Sequence, residues 1–208
     1  NQTTFCEGEA YTVTANSTVA GGGTISYDWG LSSGTGTGNV RTGETTAGTK
    51  TYVVEVSANG CTNTTTATKS VTVNPIPTKP TITGPAQVCE GVAYEVVGAS
   101  TVAGGGTLTY DWGSSPGTAG STGDKRNGAT TVANHVYTLK ATSGGCESVS
   151  ADPLTVIVNA LPTVSIASGG NFCSGGQGEV TLTFTGTPDF DIEYTNSGIG
   201  GSTIPSGS

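Results

Sequence analysis

Five cysteines are the residues of this 208-residue chain with the clearest capacity for covalent chemistry. They are Cys6, Cys61, Cys89, Cys146 and Cys173. None belongs to a Cys-x-x-Cys pair, and the sequence has a single histidine, whereas zinc sites usually combine such pairs with further cysteine or histidine ligands. The spacing therefore favours disulfides over a metal site, and disulfides indicate an oxidising, extracellular setting.

Three carboxylates near the end of the sequence form a second candidate site. Asp189, Asp191 and Glu193 alternate with apolar residues, so in a strand they share one face. Ca²⁺ prefers several oxygen ligands, which makes this row a candidate calcium site. Alternate residues of a strand lie about 7 Å apart, however, which is too far for three side chains to surround one ion without help from loops. A solvated strand face is the favoured interpretation, and no other cofactor is expected.

Two tryptophan segments carry a third kind of chemistry. Tyr27-Asp28-Trp29-Gly30 and Tyr110-Asp111-Trp112-Gly113 each place a tyrosine and a tryptophan on the same face of a strand. Exposed rings in this arrangement could bind sugar rings, as carbohydrate-binding modules do. Packing between two sheets is the favoured interpretation, because large aromatic side chains dominate protein cores. The predicted core aromatics are Tyr27, Trp29, Tyr52, Tyr110, Trp112 and Tyr137.

The elements that position these residues form an internal repeat of about 85 residues. Cys6-Glu7-Gly8 returns as Cys89-Glu90-Gly91, at the same separation as the two tryptophan segments. Further along, Gly60-Cys61 matches Gly145-Cys146, and a third copy starts at Cys173-Ser174-Gly175. Short alternating runs separated by turn residues are typical of a small β-sandwich. The predicted fold class is therefore all-β, with tandem β-sandwich domains arranged as beads on a string.

Three domains follow from the repeat. We expect them at residues 1–75, 76–160 and 161–208, joined by short proline-bearing linkers that limit their relative freedom. The first copy lacks the segment that corresponds to residues 78–83 and would form a first strand, and the third copy is incomplete. We interpret the chain as a window on a longer multidomain protein. The alternative is that another molecule supplies the missing strand.

Duplication also predicts which cysteines are paired. If each copy carries the same bond, Cys6 pairs with Cys61 and Cys89 pairs with Cys146, while the partner of Cys173 lies outside the chain. Each bond would close a loop of about 55 residues and stabilise its domain by about 4 kcal/mol on the chain-entropy model.

Several classes of function are disfavoured. His135 is the only histidine, and Lys50 occupies the matching position in the first copy, so no repeated catalytic triad can exist. We therefore expect no enzymatic activity. The net charge of −8 disfavours nucleic acid as a partner. No apolar run approaches the roughly 20 residues that span a bilayer, so membrane insertion is not expected.

The repeat motifs resemble a known family. The carriers are a Cys-x-Gly start, a Tyr-Asp-Trp-Gly strand, a strand of alternating Tyr and Val, a Gly-Cys pair and a Val-x-Val-Asn ending. They are similar to the Ig-like and PKD-like repeats of very large surface proteins in the Bacteroidetes, including gliding-motility adhesins exported by the type IX system. The residues concerned are Cys6, Gly8, Tyr27, Trp29, Tyr52, Val54, Val56, Cys61 and 71–74 in copy one, and Cys89, Gly91, Tyr110, Trp112, Tyr137, Leu139, Cys146 and 156–159 in copy two.

The resemblance implies Ig-like/PKD-like domains in an extracellular, cell-surface setting. It implies a structural stalk of a surface adhesin, active in surface attachment or gliding motility. The partners would be neighbouring repeats of the same chain, with surface glycans or the secretion and motility machinery as further candidates. The alternative function is a carbohydrate-binding or accessory region of a secreted polysaccharide-degrading enzyme.

Overall fold

Every regular element in the described part of the chain is a β-strand. The structure, a computed structural model, describes residues 2–63, 65–169, 173, 175–176, 178–186 and 190. The predicted all-β fold class is confirmed. The acidic row of Asp189, Asp191 and Glu193 lies outside the described residues.

Seven strands form the first copy, which we call repeat one. Its largest sheet has the order β1-β7-β5-β3, with β6 paired to β5, and β2 pairs with β4 in a second sheet. The long strand β5 alternates, so that Tyr52 and Val54 point into the core while their neighbours face solvent. The strands are β1 Thr4–Cys6, β2 Thr12–Thr14, β3 Ile25–Asp28, β4 Val40–Thr42, β5 Gly48–Ala58, β6 Cys61–Thr62 and β7 Ala67–Asn74.

Ten strands form the second copy, which we call repeat two. Its sheets have the orders β12-β13-β10-β8, β11-β15-β16 and β14-β17-β9. The strands are β8 Thr81–Thr83, β9 Gln87–Cys89, β10 Glu95–Ala99, β11 Thr109–Asp111, β12 Thr118–Ala119, β13 Lys125–Asn127, β14 Ala133–Tyr137, β15 Lys140–Ser143, β16 Cys146–Glu147 and β17 Leu154–Asn159. Strands β14 and β15 together occupy the place of β5, and β8 has no counterpart among the described strands of repeat one.

Each repeat encloses its own buried cluster. Tyr52, Val71 and Val73 are among the residues buried in repeat one, and Val96, Tyr137 and Val156 among those in repeat two. A hairpin of β18 Thr163–Ser168 and β19 Val180–Thr185 follows repeat two. The two clusters are separate, so each repeat is stabilised by its own core.

The cysteine pairing differs from the one that duplication predicts. Cys6 is bonded to Cys146, so the predicted bonds Cys6–Cys61 and Cys89–Cys146 are wrong. Strand register gives the reason: Cys6 lies opposite Asn74 at one end of repeat one, whereas Cys61 pairs with Ala58 at the far end of the 11-residue strand β5. At about 3.3 Å per residue, the two cysteines of one repeat lie about 33 Å apart.

Candidate functional site

The candidate functional site is the joint at which a disulfide connects repeat one to repeat two. The Cα atoms of Cys6 and Cys146 are 5.5 Å apart although the two residues are separated by 140 positions in sequence. The bond connects two facing ends. One is the end of repeat one at which its last strand, β7, ends, and the other is the end of repeat two that faces repeat one. A bond of this kind couples two folded units.

Parallel pairing of β1 with β7 places Cys6 at the joint. Both strands run toward repeat two, and Cys6 is in register with Asn74, the last residue of β7. The backbone N–H of Glu7 donates to the carbonyl of Asn74 at 2.9 Å, and the N–H of Cys6 donates to the Glu9 carboxylate at 3.0 Å. Cys6 is therefore held beside the point at which the chain enters repeat two.

A tight hairpin presents Cys146. Strands β15 and β16 are connected by Gly144 and Gly145, with Ser143 paired to Cys146 across the turn. Both glycines have positive φ angles, 57° and 83°. Two positive φ angles are typical of the two-residue hairpin turn whose twist matches that of antiparallel strands. The hairpin tip thus lies directly against the end of repeat one.

A hydrogen bond reinforces the disulfide. The side-chain amide of Asn74 donates to the carbonyl of Gly144 at 2.8 Å, and Cys146 Sγ lies 3.8 Å from the carbonyl oxygen of Asn74. A Cβ atom at Gly144 would lie 2.7 Å from Asn74 Nδ2, so glycine at this position allows the close approach. The joint is fixed by one covalent bond and one directional polar contact.

Paired tyrosines tie a loop to the core in each repeat. In repeat two, Tyr94 Oη donates to the carbonyl of Ala129, and the N–H of Ala129 donates to Tyr137 Oη. Because the single proton of Tyr94 is used in this way, Tyr137 Oη donates to Tyr94 Oη at 2.7 Å. Burial, with the hydrogen bond to Tyr137, raises the pKa of Tyr94. Gly128 is required here, because a Cβ would lie 2.0 Å from the Tyr94 ring.

Repeat one contains the same network. Tyr11 and Tyr52 are 2.7 Å apart between their hydroxyl oxygens, and Glu44 supplies the backbone carbonyl and N–H that Ala129 supplies in repeat two. Burial, followed by the hydrogen bond to Tyr52, raises the pKa of Tyr11. These networks fix the loop that precedes β5 in repeat one and β14 in repeat two.

The two tryptophans do not form a sugar-binding platform. Trp29 and Trp112 are only 6% and 7% exposed. Their indole N–H groups donate to backbone carbonyls, of Gly38 at 2.9 Å and of Gly123 at 3.0 Å. Tyr52 and Tyr137 are buried with them, and Tyr27 and Tyr110 are half-buried. All six aromatics lie in or against the cores.

Sequence reasoning missed a serine and an arginine that organise the loop after each tryptophan. Ser32 Oγ accepts from the N–H of Val53 and donates to its carbonyl, both at 2.7 Å, and Ser115 does the same at Thr138. The guanidinium of Arg41 donates to the carbonyls of this loop, as Arg126 does in repeat two. Each pair stands at matching positions of the repeat, which is the signal that could have identified them.

Repeat one has an open edge where repeat two has β8. In repeat two, β8 pairs with β10, Ile82 packs against the core and Pro80 is fully buried. In repeat one, β2 pairs only with β4 among the described strands, and a cavity of about 270 Å³ lies beside it, lined by residues that include Val13, Ala15 and Val54. This groove lies where β8 lies in repeat two, and its lining is mixed, with Thr14, Asn16 and Lys69 beside the apolar residues.

The remaining candidate residues do not come together. His135 is buried in β14, with Nε2 2.8 Å from the carbonyl oxygen of Thr131. Among the described residues no three His, Cys, Asp or Glu side chains lie close enough to hold a metal ion. Cys61, Cys89 and Cys173 are exposed and carry no disulfide within the described part of the chain.

Comparison with known proteins supports the fold. No protein-family model and no curated protein sequence matches the chain. Among solved structures, the N-terminal eight Ig domains of the Down Syndrome Cell Adhesion Molecule match with a TM-score of 0.50 and 14% identity, over 90% of this chain and 27% of that one. The titin I-band fragment I67–I69 matches with a TM-score of 0.48 and 13% identity, over 90% and 74% of the two chains. The mouse nectin-like molecule 4 ectodomain matches with a TM-score of 0.33 and 15% identity, over 73% of this chain and 64% of that one.

These findings define the class of the protein. The chain is an all-β protein with Ig-like domains, and it spans less than two thirds of the length of the nectin-like molecule 4 and Down Syndrome Cell Adhesion Molecule structures. No helix in the described part is long and apolar enough to cross a membrane. The fold is that of consecutive Ig-like domains, which the Cys6–Cys146 disulfide connects in this chain.

Proposed function

We propose that the chain is a load-bearing stalk segment of an extracellular adhesive protein on a cell surface. The observation that supports this proposal is the Cys6–Cys146 bond, which connects consecutive repeats near the point at which the chain passes from one to the other. A short proline-bearing linker alone limits bending only in part, whereas a second covalent connection, with the Asn74 hydrogen bond beside it, restricts bending further. Such a segment keeps an adhesive tip at a fixed distance from the cell.

The pairing of the first and last strands suits a load along the axis. In both repeats the early strand, β1 or β9, runs parallel to the final strand, β7 or β17. In the reduced chain, tension along this pair would act on several backbone hydrogen bonds at once. In the oxidised chain, the Cys6–Cys146 bond instead carries the load from β1 directly to β16. The low content of charged residues, 11%, and the disulfide are also consistent with a protease-resistant extracellular rod.

The setting is proposed from the repeat motifs. Their resemblance to adhesin repeats of the Bacteroidetes supports a type IX-secreted surface protein that acts in attachment or gliding motility. The described residues offer no exposed indole face for a sugar ring, because both tryptophans are buried. We therefore place any adhesive tip outside this segment.

Small-angle X-ray scattering tests the stalk. The oxidised chain should give an elongated particle with a well-defined maximum dimension, and a Cys6→Ser/Cys146→Ser variant should give a broader distribution of dimensions. The matched control is Cys61→Ser/Cys89→Ser, which removes two cysteines and leaves the joint intact. Identical, flexible profiles for all three proteins would contradict the proposal, as would binding of glycans by the isolated segment with the strength of an adhesive module.

A further inference from the structure

The exposed cysteines of each repeat stand at the same structural positions as the bonded pair. Cys61 follows a two-residue turn and pairs with Ala58, as Cys146 follows its turn and pairs with Ser143. The turn residues Asn59 and Gly60 have φ angles of 54° and 79°, against 57° and 83° at the joint. The hairpin that carries Cys61 is thus a copy of the hairpin that enters the joint.

Cys89 reproduces the other half of the joint. It is in register with Asn159 at the end of β17, as Cys6 is with Asn74 at the end of β7. The N–H of Glu90 donates to the carbonyl of Asn159 at 2.8 Å, the counterpart of the 2.9 Å bond from Glu7 to Asn74. The cysteine and the asparagine that form one side of the joint are therefore both in place at the far end of repeat two.

We propose that every repeat carries both halves of a head-to-tail joint, so that its first cysteine bonds the second cysteine of the repeat that follows. Cys89 then takes the hairpin cysteine of a following repeat, and Cys61 takes the first cysteine of a preceding one. The partner is another repeat of the same type. The inference builds on the proposed stalk function, because it extends one observed joint into a ladder along the array.

Formation of each bond is an oxidation that needs a partner. Two thiols lose two protons and two electrons as the S–S bond forms, and the oxidant is a low-molecular-weight disulfide such as oxidised glutathione. One thiolate attacks the oxidant and releases one glutathione thiolate. The second cysteine then displaces the other glutathione from the mixed disulfide, so that one oxidised glutathione becomes two reduced molecules.

The halves of the proposed joints differ from the observed joint at two side chains. Val92 stands where Glu9 accepts the hydrogen bond from the N–H of Cys6. Asn59 stands where repeat two has Gly144, and its amide lies over Gly23, where a Cβ would be 2.8 Å from Asn59 Oδ1. An incoming asparagine therefore meets a side chain at this hairpin that is absent at the observed joint. At the observed joint a Cβ at this turn position would lie 2.7 Å from the asparagine amide, so a joint at Cys61 requires that amide to shift.

Joints between all neighbours would give overlapping covalent loops. The observed loop runs from Cys6 to Cys146 and already contains Cys89, from which the next loop begins. A backbone cut inside one loop leaves its two ends connected through the disulfide. The array would resist both proteolysis and extension without a bond inside any single sandwich.

Insertion of one repeat tests the ladder directly. A second copy of residues 75–159 is placed between Asn159 and Ala160, with Cys89→Ser so that it adds one hairpin cysteine only. The inserted copy also carries Val149→Ala, a change at an exposed side chain that marks its Cys146 peptide by mass. The chain is refolded in a glutathione redox buffer, and its disulfides are mapped by mass spectrometry without reduction.

We expect Cys89 to be bonded to the marked Cys146 peptide, together with the original Cys6–Cys146 bond. Alkylation of Cys89 should fall from near completion in the parent chain to background, and Cys61 should stay reactive in both. In the control, the inserted copy carries Cys146→Ser, and Cys89 should become reactive again. Cys89 that stays reactive in the extended chain, or that bonds the unmarked peptide, overturns the ladder but leaves the stalk standing. If the marked bond forms but the scattering profile of the extended chain is that of a flexible particle, the ladder stands and the stalk function is contradicted.

Discussion

Breaking the Cys6–Cys146 bond should lengthen the unfolded chain by an amount that the structure fixes. When force is applied to the two termini of the oxidised chain, the covalent path runs from β1 through the disulfide to β16. The 140 positions between the two cysteines then add nothing to the extension. At about 3.3–3.6 Å per extended residue, reduction should release about 460–500 Å of additional length.

Optical tweezers measure this length. The protein is held at its termini and unfolded completely, first oxidised and then after treatment with a reductant. A Cys6→Ser/Cys146→Ser variant should show the long extension under both conditions. Cys61→Ser/Cys89→Ser is the matched control and should behave like the unmodified chain, short when oxidised and long when reduced.

The pairing that duplication favoured makes a different forecast. Bonds inside each repeat would hide two shorter, separate loops, and the Cys61→Ser/Cys89→Ser variant would lose both of them. A total extension that does not change on reduction, or a control variant that is long when oxidised, would refute the assignment of the joint.

Three further predictions concern single repeats. A methyl group at Gly128 would lie 2.0 Å from the Tyr94 ring, so Gly128→Ala should lower the free energy of unfolding by about 1–3 kcal/mol in denaturant titrations, while Gly123→Ala, which meets open space, should leave it unchanged. Because burial raises the pKa of Tyr94, the folded state keeps a proton that the unfolded state loses, so stability should fall as the pH rises above about 10. Tyr94→Phe should reduce that slope, and an unchanged slope would count against the network. Adding residues 75–83 ahead of the first residue should stabilise repeat one by about 1 kcal/mol in denaturant titrations, because the residue equivalent to Ile82 becomes partly buried. The same extension with Ile82→Ser should lack most of this gain.

The fold class could be predicted because it depends on local signals. Alternation in segments such as 52–56 indicates strands with one buried face, and glycine-rich stretches indicate turns. The tyrosine networks could not be predicted in the same way. Tyr94 and Tyr137 are separated by 43 positions, and nothing in their spacing shows that both hydroxyls meet the backbone of Ala129.

The pairing of the cysteines was wrong because duplication alone does not decide it. A repeat with two cysteines can form a bond within each copy or from each copy to the next, and both schemes are the same for every copy. The register of β1 against β7 separates them, since it places Cys6 at the end of the sandwich opposite to Cys61. That parallel pairing is a long-range contact, which sequence spacing does not contain.

A bond between repeats changes where the stability of the array resides. If repeat two unfolds while repeat one stays folded, Asn74 remains beside Cys6, so the disulfide closes a flexible loop of 72 residues from Asn74 to Cys146. On the chain-entropy model such a loop stabilises the folded state by about 4 kcal/mol. In a linear array, stability is approximately a sum of terms for each repeat and for each junction. The stabilising free energy of the disulfide therefore belongs to the junction term. This term is important because a sandwich of this size has only a small core of its own. Each repeat is therefore most stable when its neighbour is folded, which is the property that a stalk under load requires.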